Sequence, residues 1–217
     1  MKKAGTQLPD NYTLQAVIDL KNNKKQALAV NICALVIAAV MVVAAARFIP
    51  IKSAYTGASE GLLKLGVIVS GMIAYILLHE LVHGLLFWAF SGRKPFYGFS
   101  GLYAYAGSDA FYFRGQYIVI GLAPVVIWGV ALAAANYFAP YDWFWVVFII
   151  QVINISGAAG DIYVACRLLA CGERYWLRIR ERLWSFILRI LDRNWKNRIN
   201  EIYKARGVVF RSGPYIL

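Results

Sequence analysis

Two histidines four residues apart, with a glutamate directly after the first, stand at His79, Glu80 and His83 inside the apolar stretch LLHELVHGLLFWAF, residues 77–90. On a helix, positions four apart share a face about one turn apart, so both imidazoles can bind one metal ion with the glutamate beside it. H-E-x-x-H on a helix is the metalloprotease signature for this reason. Zinc in such sites takes three protein ligands and keeps one position for water, whose pKa falls to around 7, and the glutamate is then the base. The surroundings sharpen the pattern. An ionisable group at membrane depth costs roughly 2.5–3.5 kcal/mol on insertion scales, so its presence points to function. These are the only two histidines in the chain, and Glu80 and Asp161 are the only acidic residues inside any of its four long apolar spans. The competing reading is a structural polar cluster with no metal.

A third ligand is required, and the fourth span offers one in QVINISGAAGDIYVA. Asn154 and Asp161 are seven residues apart, nearly superimposed around a helix axis at ~100° per residue. Gly157 and Ala158 fall on the same stripe, and small residues let one helix approach another closely. Asp161 is therefore expected to complete a metal site with His79 and His83. Asn154 is expected to hydrogen-bond to a substrate backbone or to orient the site; a polar residue that only packs helices is the alternative.

The elements that must carry these residues are membrane helices. Of the 217 residues 60% are hydrophobic and 16% charged, with a mean hydropathy of +0.56. A soluble domain is nearer ~45–50% apolar and ~25% charged. Stretches long enough to cross ~30 Å of hydrocarbon, about 20 residues, run over 27–48, 62–90, 118–138 and 143–170. The first follows a long polar segment and has too long an apolar core for a cleaved signal peptide, so it is read as a retained helix. Three cysteines, Cys33, Cys166 and Cys171, form no disulfide framework.

Orientation follows the Lys and Arg distribution. Lys2, Lys3, Lys21, Lys24 and Lys25 precede the first span, Arg93, Lys94 and Arg114 follow the second, and eleven basic residues lie between Arg174 and Arg211. Both termini and the 91–117 loop are expected in the cytoplasm. Tyr137, Tyr141, Trp143 and Trp145 form an aromatic belt at the opposite interface. The net charge of +12 reads as topology and attraction to anionic lipid, not as nucleic-acid binding, since no nucleic-acid motif accompanies it.

Between the second and third spans, PFYGFSGLYAYAGSDAFYFRGQY reads as a β-hairpin, 97–106 against 110–117, with its turn at Gly107-Ser108-Asp109. In the tail, Leu183, Ile187, Ile190 and Leu191 are spaced for an amphipathic helix lying on the cytoplasmic leaflet. The expected fold is thus an all-α membrane protein: a four-transmembrane-helix bundle with a short β-hairpin between helices 2 and 3 and a C-terminal amphipathic helix. Its segments are a cytoplasmic N-terminal piece (1–26), the transmembrane core (27–170) and a basic tail (171–217).

HELVH on one membrane helix, with an Asn…Asp pair two helices later, resembles the core of the site-2 proteases, the intramembrane zinc metalloproteases. The form HELVHG on a short chain with an early LPDNYTLQ segment is similar, more closely still, to the bacterial "Putative zincin peptidase" family. The resemblance implies His79, His83 and Asp161 as Zn2+ ligands, Glu80 as catalytic base, a membrane-protein substrate, a hairpin beside the site, and a place in a bacterial inner (plasma) membrane. The chain departs from the site-2 pattern in having no Asn-Pro…Asp-Gly motif and no room for a PDZ domain. A catalytically inactive metal-binding scaffold whose basic tail binds lipid or a partner is the alternative function. A transporter is disfavoured, because four spans without an internal repeat are few for one.

Overall fold

The computed structural model describes residues 12–18, 23–54, 57–99, 104–170, 175–180 and 183–189. Four helical segments are long and apolar enough to cross a membrane. They are α1 (Lys24–Ala46), α2 (Ala58–Ser91), α3 (Arg114–Phe138), and the pair α4 (Phe144–Gly157) and α5 (Ala159–Leu169), which together make the fourth span. Their outward faces are those of a lipid-solvated bundle: Leu35 is 71% exposed, Leu62 72% and Val130 67%. No residue of α1 is buried.

Local chemistry sets the helix ends. Asn23 caps α1, its side-chain oxygen accepting from Gln26 N–H at 3.2 Å. Gly92, with φ of 72°, ends α2 by donating its N–H to Trp88 O at 2.7 Å, a left-handed turn that favours glycine. At 34 residues α2 is about 51 Å long, so it tilts or projects beyond ~30 Å of hydrocarbon. Near its start the buried Lys64 pairs with Glu60 and Asp142, both at 3.1 Å, tying α2 to the loop before α4. Lys64 is a charged residue inside the second span that lies outside the histidine cluster, some 22 Å along the helix from His79.

The fourth span is broken where a continuous helix was expected. The Ala158 N–H turns back to Ser156 O, α4 ends, and α5 starts at Ala159. Ser156-Gly157-Ala158-Ala159-Gly160 contains two glycines, each weakening a helix by about 1 kcal/mol relative to alanine. Ala158 is buried as the stripe predicts, but Gly157 is exposed, because the break rotates it off the packed face.

The all-α expectation is corrected by a five-stranded sheet of order β1-β5-β4-β3-β2, antiparallel throughout. The strands are β1 (Tyr12–Ile18), β2 (Phe96–Phe99), β3 (Ala104–Phe113), β4 (Tyr175–Arg180) and β5 (Leu183–Arg189). The hairpin between helices 2 and 3 exists, with a different register: Phe96 pairs with Gly107 and Phe99 with Ala104. Gly107-Ser108-Asp109 is not its turn. It lies within β3, where the ladder to β4 shifts between Ser108 and Tyr112 and Ser108 Oγ accepts from Ala110 N–H at 3.3 Å. Turn residues and bulge residues satisfy backbone groups in the same way, so the sequence signal fits both. Tyr117, placed in the hairpin, belongs to α3. Each glycine in the paired stretch lies opposite an aromatic: the Phe96 ring covers Gly107 and the Tyr105 ring covers Gly98.

The expected C-terminal amphipathic helix is corrected as well. Residues 175–180 and 183–189 are strands β4 and β5, joined in one sheet to β1 and β3. Leu177-Arg178-Ile179-Arg180 alternates with period two, and partners from the N-terminal segment and the hairpin decide between the two periods. Residues 190–217 lie outside the described residues.

The buried core joins sheet to helices. Phe87 of α2, Ala106, Ala110 and Tyr112 of β3, Tyr117 and Ile120 of α3, and Val164 and Leu168 of α5 pack together. Tyr112, fully buried, donates its hydroxyl toward Ser108 Oγ (2.7 Å) and Phe87 O (3.1 Å), clamping β3 onto α2. This fixes the hairpin one to two turns beyond His83.

Candidate metal centre

His79 and His83 are both 8% exposed, on the face of α2 turned toward α3, α4 and α5. The α4–α5 break places Asp161 in the first turn of α5, where the helix dipole favours a carboxylate. The three side chains converge. His79 Nε2 lies 3.2 Å from His83 Nε2 and 3.4 Å from Asp161 Oδ2, and His83 Nε2 lies 3.6 Å from the same Oδ2.

The far nitrogens of both rings are engaged. His83 Nδ1 donates to Ile120 O at 2.8 Å, and a carbonyl can only accept. His79 Nδ1 is 2.8 Å from the Tyr75 hydroxyl, which donates to Asn154 Oδ1 at 3.0 Å and so accepts from the ring. Asn154 Nδ2 in turn donates to Val125 O at 3.1 Å. With Nδ1 of each ring engaged elsewhere, the two Nε2 atoms and a carboxylate oxygen converge on one point. Two ring nitrogens and a carboxylate oxygen so placed form a set suited to a cation. Ligands at 2.0–2.1 Å around tetrahedral zinc are about 3.3 Å apart, and the observed edges of 3.2, 3.4 and 3.6 Å bracket that value. The donor set fits zinc.

Glu80 lies beside this triangle. One ligand atom each from His79, Glu80 and His83 falls within 4.8 Å of the others, a looser group than the one with Asp161. The tighter triangle is the better coordination set, because its three atoms already stand at ligand–ligand separations. The Glu80 carboxylate accepts from the Ala106 backbone N–H of β3, so the hairpin holds it.

Two residues that sequence reasoning missed complete the surroundings. Tyr75 lies one turn before His79 on the same helix face, and that i, i+4 spacing was the available signal. Tyr97 of β2 packs its hydroxyl over Gly84, where any Cβ would collide with it. Burial and then the neighbouring Glu80 carboxylate push the Tyr97 phenol above its ordinary value, so it is a proton donor at neutral pH. The glycine after His83 was the sequence trace of this contact. Asn154, expected to face a substrate or orient the site, is fully buried with both ends of its amide bonded within the protein.

Fold and site together define a mostly helical protein with four membrane-length helices and a zincin-type His-Glu-x-x-His group. Residues 72–176, from the middle of the motif helix α2 to β4, match the family described as "Putative zincin peptidase", the family that HELVHG resembles. That family implies a zinc metallopeptidase. No curated protein and no solved structure matches the chain.

Proposed function

We propose that the chain is a zinc-dependent intramembrane endopeptidase, hydrolysing a peptide bond of a membrane-protein substrate near the cytoplasmic side. The observation that carries this reading is the triangle of His79 Nε2, His83 Nε2 and Asp161 Oδ2 with Glu80 alongside. His79, His83 and Asp161 would hold the metal. When bound, zinc supplies Lewis acidity, polarising a carbonyl and bringing the pKa of a coordinated water to around 7.

The chain's own residues do the rest. Glu80 accepts the water proton and returns it to the leaving amine, held in place by Ala106 N–H. Tyr97 presents a phenol donor on the same side, suited to the substrate carbonyl. Asn154 is a positioning residue, holding His79 through Tyr75.

Lys and Arg placement supports cytoplasmic termini and a sheet on the cytoplasmic side of the membrane. His83 then lies eight residues before the end of α2, about 12 Å from that end, close enough for a short water path. A helical substrate hides its carbonyls and must be extended for cleavage. The terminal strand β2 offers an edge for such a segment by strand addition, and the basic tail suits anionic lipid.

The test is zinc content and cleavage of single-span reporters by purified wild type and Glu80→Gln. Zinc in both, with cleavage lowered by ~10²–10⁴-fold in the variant, supports the peptidase. Zinc in both with no cleavage in either returns the alternative, an inactive metal-binding scaffold. Wild type without zinc defeats both.

A further inference from the structure

We infer that Pro124 is a positioning residue for His83: by lacking an N–H it releases the Ile120 carbonyl from the α3 ladder and hands it to the His83 imidazole. The inference rests on the metal-site reading above and adds to it the device that orients one ligand.

In an α-helix the carbonyl of residue 120 accepts from the N–H of residue 124. Residue 124 is proline, inside α3 and fully buried. A proline in a helix interior removes that bond, and its ring pushes the carbonyl four residues back away from the axis. Ile120 is 1% exposed, so no bulk water reaches the vacated acceptor. In a membrane span such a group has to find a partner inside the protein.

His83 has the matching need. Its Nδ1–H requires an acceptor so that Nε2 faces the metal with its lone pair, and metal-bound imidazoles regularly donate their second nitrogen to a carbonyl or carboxylate. The Ile120 carbonyl meets it at 2.8 Å. The next residue, Gly121, faces α5, with the Asp161 carbonyl oxygen 4.0 Å from where a Cβ would stand. One turn of α3 thus touches both elements that carry the three ligands, α2 and α5.

The alternative role for Pro124 is a kink that shapes the bundle. Two substitutions separate the roles. Pro124→Ala and Pro124→Gly both restore an N–H that competes for Ile120 O, whereas glycine keeps the helix easy to bend. Zinc affinity is measured on the detergent-purified full chain by chelator competition, and the His83 Nδ1–H resonance is followed by NMR. Both variants are expected to bind zinc about tenfold more weakly, the lower end for loss of an outer hydrogen bond since the carbonyl becomes shared. The His83 proton should move upfield while that of His79 stays.

Wild-type affinity in the glycine variant with loss only in the alanine variant would overturn the inference in favour of the kink. Unchanged affinity and resonance in both would overturn it outright. A wild type that takes up no zinc overturns the metal site instead. The His83 resonance of the metal-free protein then decides the Ile120 bond: a shift in both variants supports it, and no shift overturns it.

Discussion

Replacing Tyr75 by phenylalanine removes one oxygen that two buried groups depend on. The hydroxyl accepts from His79 Nδ1 at 2.8 Å and donates to Asn154 Oδ1 at 3.0 Å. Tyr75 is 7% exposed and Asn154 0%, so water does not replace it. A buried polar group left without a partner costs about 1–3 kcal/mol, and two are left here, one of them the ring that is to hold the metal. Loss of an outer hydrogen bond to a ligating histidine weakens metal binding by ~10–100-fold, which is about 1.4–2.8 kcal/mol. Because metal bound only by the folded state stabilises it in proportion to the logarithm of its affinity, the zinc-induced gain in stability should fall by the same amount. Chelator competition and thermal unfolding with and without zinc, on the detergent-purified protein, measure the two quantities independently. Asn154→Ala should reproduce much of the effect, and the double variant should be no worse than the poorer single one, since both act through one hydroxyl. Zinc affinity of Tyr75→Phe within about twofold of wild type would refute the relay, as a ligand deprived of its outer partner cannot be so little changed.

Other substitutions probe the remaining parts. Asp161→Ala should abolish stoichiometric zinc binding in a metal analysis of the folded protein, since two nearby histidines alone do not form a three-ligand site. Tyr97→Phe should retain zinc and lower reporter cleavage by up to ~10²-fold, the loss expected for one transition-state donor. Gly84→Ala should do the same by forcing Tyr97 out of its place over α2, and unchanged cleavage in both would remove Tyr97 from the site. Tyr105→Pro, opposite Gly98, should break the β2–β3 pairing and reduce cleavage with zinc retained; full activity would end the role given to the hairpin.

The sequence by itself determined the four apolar spans and the cluster of chemistry within them. Both rest on signals that act over one helix turn or one hydrocarbon thickness: the His79–His83 spacing, the length of each greasy run, and the high cost of Asp161 in lipid. The sheet was only half legible. Gly107-Ser108-Asp109 carries turn chemistry that a bulge also uses, and the apolar spacing from Leu183 onward fits a helix until β1 and β3 supply strand partners. Pairing between residues 12–18 and 183–189 spans nearly the whole chain, and no local propensity reports it. Tertiary structure alone also decided how the two histidines are supported. It brought Tyr75 under Asn154, put the Ile120 carbonyl against His83, and broke the fourth span so that Asp161 begins a new helix facing both histidines. A backbone carbonyl looks alike at every position in the sequence; only the packing of α3 against α2 gives this one a partner.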